Sequence, residues 1–124
     1  MHFLFLRAYA QLVLFDFLLL RGDFNVLHRK VRQCPTGDKP RASDATERVC
    51  AAIDMACIWY RKEVLCLQRS AATACLLKRC GVAAEMVTGV QQIPFKSHAW
   101  VEVDGKVVND KPYMHQMYSV LDRC

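Results

Sequence analysis

Two hydrophobic patterns divide the chain, a helical one over residues 3–79 and a strand-like one over residues 84–110. Apolar residues recur at helical spacing in the first stretch and follow short extended runs in the second. This order predicts an α+β fold with a helical N-terminal half and a small antiparallel sheet. With 124 residues, the chain has the length of one domain with its own core.

The first predicted helix covers residues 3–20, a strongly apolar run that contains Arg7 and Asp16. Charged residues are expensive in the centre of a bilayer, so we expect no transmembrane span. The run also lacks the basic segment that precedes the apolar part of a signal peptide. We interpret it as a core helix or as a helix that docks on a partner, with peripheral contact with a membrane surface as the alternative.

Breaker residues then separate a short helix from a longer one. Gly22 ends the apolar run, and residues 24–32 are predicted to form a second helix. Two prolines and a glycine make residues 34–43 the best linker. A helix begins near Asp44, which forms a capping-box pattern with Glu47. Its inward stripe is predicted to contain Val49, Ala52, Ile53, Ala56 and Tyr60.

The next predicted helix covers residues 66–79 and begins with a cysteine. Lys78 and Arg79 suit the negative end of its dipole, and Gly81 suits the position after its C-cap. Cys66 therefore lies in the first turn, where the positive end of the helix favours a thiolate. The free N–H groups of that turn can also stabilise an oxyanion. A buried, inert thiol is the common alternative for a single cysteine.

A histidine and an aspartate follow in the predicted sheet. Strands are expected over residues 84–90, 98–102 and 106–110, with a loop between the first two. If Gly105 forms a three-residue turn with a bulge, Glu102 pairs with Lys106 and His98 lies opposite Asp110. A two-residue turn would instead place Asp110 opposite Ala99, on the other face. We predict the bulge, so that Asp104 lies in the turn and Asp110 contacts His98.

Composition excludes several other kinds of protein. The net charge of +5 comes from scattered basic residues without interleaved aromatic residues, so we expect no nucleic-acid binding. The seven cysteines include no CxxC pair, which makes a zinc site improbable, and we expect neither metal nor organic cofactor. Without a secretory signal, we expect a cytoplasmic protein whose cysteines are free thiols.

The motifs resemble those of a known family. The stretch from 64 to 112, with CLQRS, GV in a strand and PFKSHAWVE, is similar to the protease half of lasso-peptide biosynthesis B proteins. These are transglutaminase-like cysteine peptidases that remove the leader from a ribosomally made precursor. The resemblance implies a transglutaminase- or papain-like core over residues 44–124, after an apolar helical segment over residues 1–33 and the linker. It also implies that Cys66 is the nucleophile, His98 the base and Asp110 its orienter.

Two parts of the site stay open at this point. Asp104 is the rival acid, although the hairpin argument puts it in the turn. Tyr60, six residues before the cysteine, is a candidate oxyanion donor by analogy with the upstream glutamine of papain-like enzymes. A transglutaminase-like amidase or acyltransferase, and a non-catalytic peptide-binding scaffold, are the alternative functions.

The resemblance also implies partners. Single-chain members carry a leader-recognition domain of winged-helix type before the peptidase, whereas the first 40 residues here are predicted to be helical. We therefore expect the split form, in which a separate leader-recognition protein acts with the peptidase on the precursor peptide. The cleaved peptide would pass to an ATP-using lasso cyclase; the present chain has no Gly-rich phosphate loop.

Overall fold

A computed structural model describes residues 2–22, 24–35, 44–60, 63–92 and 94–124. Four helices come first and the strands follow them, as the sequence predicts. The helices are α1 (His2–Leu20), α2 (Phe24–Gln33), α3 (Ala45–Trp59), α4 (Cys66–Arg79) and the short α5 (Met114–Met117). The strands are β1 (Ala84–Gln92), β2 (Phe95–Val103), β3 (Lys106–Val107) and β4 (Ser119–Arg123). The predicted α+β fold is confirmed.

Helix α4 is the centre of the fold. It packs against α1 and α3 on one side and against β1 and β2 on the other. Ten of its 14 residues are buried, so it is covered nearly all round. Its boundaries, Cys66 and Arg79, are those predicted. Its N-cap Leu65 has an extended backbone, and Gly81, which follows the C-cap, has a φ of 85°, the left-handed conformation that commonly ends a helix.

Helix α1 has one buried side and one exposed apolar side. Ala8, Leu12 and Phe15 are fully buried against the core, so one side of the helix is structural. The opposite side forms what we call the outer stripe, which is apolar and exposed and contains Phe3, Leu6, Val13, Phe17 and Leu20. By length and composition, residues 3–20 could also cross a membrane, a property that core helices of soluble proteins share.

Two local predictions in the helical half need correction. Asp44 is the N-cap of α3, but its side chain makes no capping hydrogen bond, so the predicted capping box does not form. Cys34, which is next to the end of α2, is bonded to Cys75 of α4 in a disulfide. The expectation that all the cysteines are free thiols is therefore wrong for this pair. Most of the predicted linker, residues 36–43, lies outside the described residues.

The sheet is antiparallel with the strand order β3-β2-β1-β4. Strands β1 and β2 form a hairpin that extends to the pair Gln92 and Phe95, so the predicted loop over residues 91–97 is mostly strand. The outer part of this hairpin lacks the apolar alternation that marks a half-buried strand, and the first three residues of β2 are exposed. The edge strand β4 carried no signal that the sequence analysis used.

The turn between β2 and β3 is tighter than predicted. Val103 pairs with Lys106, and Asp104 and Gly105 both have positive φ, at 54° and 76°. This is the two-residue Asp-Gly turn whose twist matches the flanking strands, so the predicted three-residue loop with a bulge is wrong. Asp104 nevertheless lies in the turn, as expected.

Candidate active site

The predicted nucleophile lies at an accessible helix start. Cys66 is the first residue of α4 and is exposed. The first backbone bond of the helix runs from the Arg69 N–H to the Leu65 carbonyl at 2.9 Å. The N–H groups before Arg69 therefore have no acceptor within the helix, and the side chain of the N-cap residue Leu65 makes no capping hydrogen bond. This turn can stabilise negative charge on both a thiolate and a substrate oxygen.

The predicted base and its orienter are in contact. His98 Nε2 and Asp110 Oδ2 are 2.6 Å apart, with the two side chains 24% and 26% exposed. The second carboxylate oxygen of Asp110 accepts the Lys111 N–H at 2.8 Å. Burial raises the pKa of Asp110, but the hydrogen bonds from His98 and Lys111 and the charge of Arg69 outweigh it, so the pKa is lowered. Asp110 is thus ionised at neutral pH and holds His98 by Nε2, leaving Nδ1 for a second partner.

Asp110 reaches His98 despite the corrected register, because the chain leaves the ladder after β3. The Val108 N–H still bonds the Val101 carbonyl at 2.9 Å. The Val101 N–H, however, donates to the side-chain Oδ1 of Asn109 at 2.7 Å instead of to a backbone carbonyl. Asn109 Nδ2 also donates to Ser70 Oγ at 3.2 Å, which ties this segment to α4. Regular pairing ends here, and Asp110 turns towards the histidine.

Two aromatic rings stack on the imidazole. Tyr118 lies 5.5 Å from the His98 ring at 23°, and Trp100 lies 6.3 Å away at 26°. Gly89 is opposite His98 in the hairpin, and a Cβ there would come within 2.9 Å of the Trp100 ring and 3.0 Å of Tyr118. Glycine is thus required for the close approach of these rings. Tyr118 was not among the predicted site residues, since no element was predicted after Asp110.

The Trp100 ring is fixed by a buried carboxylate. Glu102 is 3% exposed and accepts the Trp100 Nε1–H at 2.9 Å. Arg123 of β4 donates to the same carboxylate at 2.8 Å, so the buried charge is paired. The ring that packs on His98 therefore has a defined orientation.

One cavity joins the three predicted residues. Cys66, His98 and Asp110 all line a space of about 140 Å³, together with Arg69, Ser70 and Asn109. The guanidinium of Arg69 is held by an ion pair with Asp54 of α3. A larger groove of about 360 Å³ beside α2 contains none of the predicted site residues. The constellation has the parts required for nucleophilic acyl transfer: a thiol at a helix start, an imidazole and an orienting carboxylate.

The other free cysteines have a different environment. Burial raises the pKa of Cys50 and of Cys124 to about 11, and it also raises the pKa of Cys57. Cys80 is half-buried at the opposite end of α4 from Cys66. Among the five free cysteines, Cys66 alone is exposed.

Tyr60 does not belong to the cavity. Its hydroxyl donates to Asp16 Oδ2 at 2.7 Å, and its ring packs on Tyr9 at 5.3 Å. Burial and the bond to Asp16 raise its pKa to about 12. Tyr60 thus joins α3 to α1, and the structure gives no support to its assignment as an oxyanion donor. Over the described ranges, no group of three or more His, Cys, Asp or Glu side chains is arranged to hold a metal ion.

Comparison with known proteins agrees with this fold. A family model described as the transglutaminase-like superfamily matches residues 11–123. The microcin J25-processing protein McjB of Escherichia coli is 45% identical over 56 residues, which cover 45% of this chain and 27% of that protein. The chain thus matches about a quarter of the length of that curated relative. No solved structure matches the chain.

Proposed function

The chain belongs to the transglutaminase-like superfamily, and on that premise we propose that it is a cysteine peptidase that removes the leader from a lasso-peptide precursor. The observation that carries the proposal is the cavity that the exposed Cys66 lines together with the paired His98 and Asp110. The likeness to a microcin-processing protein supports the substrate class. We assign the reaction to the cytoplasm, where a ribosomally made precursor is released.

The mechanism follows from the roles that each group can take. His98 accepts the proton of Cys66 at Nδ1, and the thiolate attacks the scissile carbonyl carbon to form a C–S bond. The N–H groups at the start of α4 stabilise the oxyanion. The imidazolium then protonates the departing amine as the C–N bond breaks, which leaves a thioester on Cys66. Finally, His98 takes a proton from water, the resulting hydroxide attacks the thioester carbon, and the C–S bond breaks, which releases the leader as a carboxylate and returns Cys66 as a thiolate beside the imidazolium.

A transglutaminase-like acyltransferase would use the same thioester but an amine acceptor instead of water. Product analysis separates the two activities: a peptidase yields a leader with a free C-terminal carboxylate. A non-catalytic scaffold would yield neither product.

We further propose that a separate leader-recognition protein covers the outer stripe of α1 and delivers the precursor, and that the cleaved peptide passes to a lasso cyclase. Five large apolar side chains are exposed along this stripe, between 48% for Val13 and 73% for Leu20. A contiguous exposed apolar surface of this kind is typical of an interaction site. The opposite side of the helix is core, so the partner can bind without disturbing the fold.

Loss of the nucleophile is the direct test of the enzyme proposal. Cys66→Ala should abolish cleavage of the precursor while circular dichroism stays unchanged, because the side chain is exposed. Cys80→Ala, at the other end of the same helix, is the matched control and should keep wild-type turnover. Leader release by purified Cys66→Ala at the wild-type rate would show that the assignment is wrong.

Alkylation gives a second readout that needs no substrate. A thiol with a pKa of about 11 is ionised to roughly one part in a thousand at pH 8. Iodoacetamide should therefore modify Cys66 first, whereas labelling of Cys50 and Cys124 should rise about tenfold per pH unit. Peptide mapping by mass spectrometry measures each site. Equal, slow labelling of all five free thiols would support a scaffold.

A further inference from the structure

The outer edge of β2 is open directly beside the candidate site. Strand β3 pairs with β2 only at Glu102 and Val103. In the part of the chain that the structure describes, no strand pairs with that side of residues 95–100. An open edge presents backbone N–H and C=O groups that a further extended chain can pair with.

The hydrogen bonds of Val101 fix which groups point outward. Its N–H and carbonyl bond Asn109 and Val108, on the side away from β1. Alternation along an antiparallel strand gives Ala99 and Ser97 the same direction. The Ala99 carbonyl agrees, since it accepts the hydroxyl of Ser70 at 3.0 Å.

The N–H and the carbonyl of Ser97 therefore face outward on this edge without a partner among the described residues, and they are accessible, whereas Ala99, on the same side of the strand, is only 3% exposed. Ala99 is itself a lining residue of the cavity that contains Cys66 and His98. The open edge is thus continuous with the candidate active site. Ser97 is small and exposed, so its side chain leaves the backbone accessible.

We propose that the peptide segment after the scissile bond binds in extended form as an additional strand on the β2 edge at Ser97. This inference rests on the proposed peptidase function. The direction follows from the chemistry: His98 must protonate the departing amine, so the half that leaves as the amine lies against the strand that carries His98. Recognition through backbone groups supplies affinity and register without requiring a particular side chain at each position.

A backbone scan of the substrate tests the added strand on the unmodified enzyme. Synthetic precursors carry an N-methyl group on one of the second to fifth residues after the scissile bond. A neutral hydrogen bond contributes modestly, so each methylation of a paired N–H should raise KM about threefold to tenfold with little change in kcat. Because a strand turns alternate N–H groups to its neighbour, the increase should occur at alternate positions.

A protein variant tests the same edge from the other side. Ser97→Pro removes the outward N–H, and proline is tolerated on an edge strand where that N–H faces solvent. It should raise KM about threefold to tenfold, whereas Lys96→Ala on the same strand, which keeps the Ser97 N–H, should match wild type. Circular dichroism and alkylation of Cys66 check that the fold and the nucleophile are intact.

The outcomes separate this inference from the proposed function. If wild type cleaves the precursor in a Cys66-dependent way but KM shows no alternation after the scissile bond, the strand proposal is wrong and the peptidase stands. Alternation confined to the leader side would overturn it as well. If wild type does not cleave at all, the failure lies in the proposed function.

Discussion

Replacing Asp110 with asparagine isolates the charge of the acid that contacts His98. The volume is nearly unchanged, but the 2.6 Å contact loses its negative partner. Hydrogen bonds to charged groups contribute about 1.5–3 kcal/mol, which corresponds to roughly a 10- to 150-fold change in rate. If the asparagine N–H₂ faces Nε2, the ring proton moves to Nδ1, and His98 can no longer accept the proton of Cys66.

The tautomer determines how large the effect becomes. The same change in a serine triad lowers kcat by about 10⁴-fold. The His98 and Asp110 side chains are 24% and 26% exposed, so water can partly replace the lost carboxylate. We therefore expect kcat for precursor cleavage to fall by about 10²- to 10⁴-fold, with little change in KM.

Asp104→Asn is the matched control, since it makes the same chemical change in the rival acid. Asp104 has a φ of 54° in the turn, and asparagine tolerates that conformation well. Its turnover should stay within about twofold of wild type. Steady-state cleavage, followed by chromatography and mass spectrometry, measures both variants. Equal turnover of the two, or a larger loss for Asp104→Asn, would refute the assignment of Asp110.

Two further predictions concern the helical half. Because the disulfide closes a loop of 41 residues, Cys34→Ser should lower the free energy of unfolding, measured in urea, by up to about 4 kcal/mol. Denatured wild type should show five reactive thiols when no reductant is present. Seven reactive thiols would contradict the disulfide. The recognition protein should raise the rate of precursor cleavage about 10²-fold or more through a lower KM. Phe17→Glu on the outer stripe should abolish this stimulation, whereas the control Lys30→Glu on α2 should leave it unchanged. Equal stimulation of both variants would exclude the stripe as the docking surface.

The helices could be predicted closely because their signals are local. The cysteine that opens α4 and the glycine that follows its C-cap lie within one continuous periodic stretch, and the predicted and observed boundaries agree. The disulfide could not be predicted in the same way. Cys34 and Cys75 are 41 residues apart, and with seven cysteines the spacing alone does not identify a pair. Their pairing depends on how α2 packs on α4, which is a property of the fold.

The site shows a different division between local and tertiary signals. Cys66 and His98 were predictable because each is tied to one element, a helix start and a strand. Tyr118, which stacks on His98, comes from a segment with no apolar alternation, and it reaches the imidazole only because β4 pairs with β1. The hydrogen bond from the Tyr60 hydroxyl to Asp16 could not be predicted from the sequence either, because it depends on the packing of α3 against α1.

The contact between Asp110 and His98 was predicted for a reason that the structure corrects. The bulged hairpin was introduced to bring the two residues opposite each other, yet the turn has two residues and β3 ends at Val107. The Asn109 side chain redirects the chain in place of backbone pairing between the strands. Its amide oxygen accepts the Val101 N–H, and its amide nitrogen donates to the Ser70 hydroxyl. An asparagine directly before the acid can thus end the backbone pairing, so that the position of the acid no longer depends on the register of the strands. For Asp110, which is twelve residues after His98, the side chain of the preceding residue determines the geometry more than the turn at Asp104 and Gly105 does, and Asn109 is therefore a positioning residue of this site.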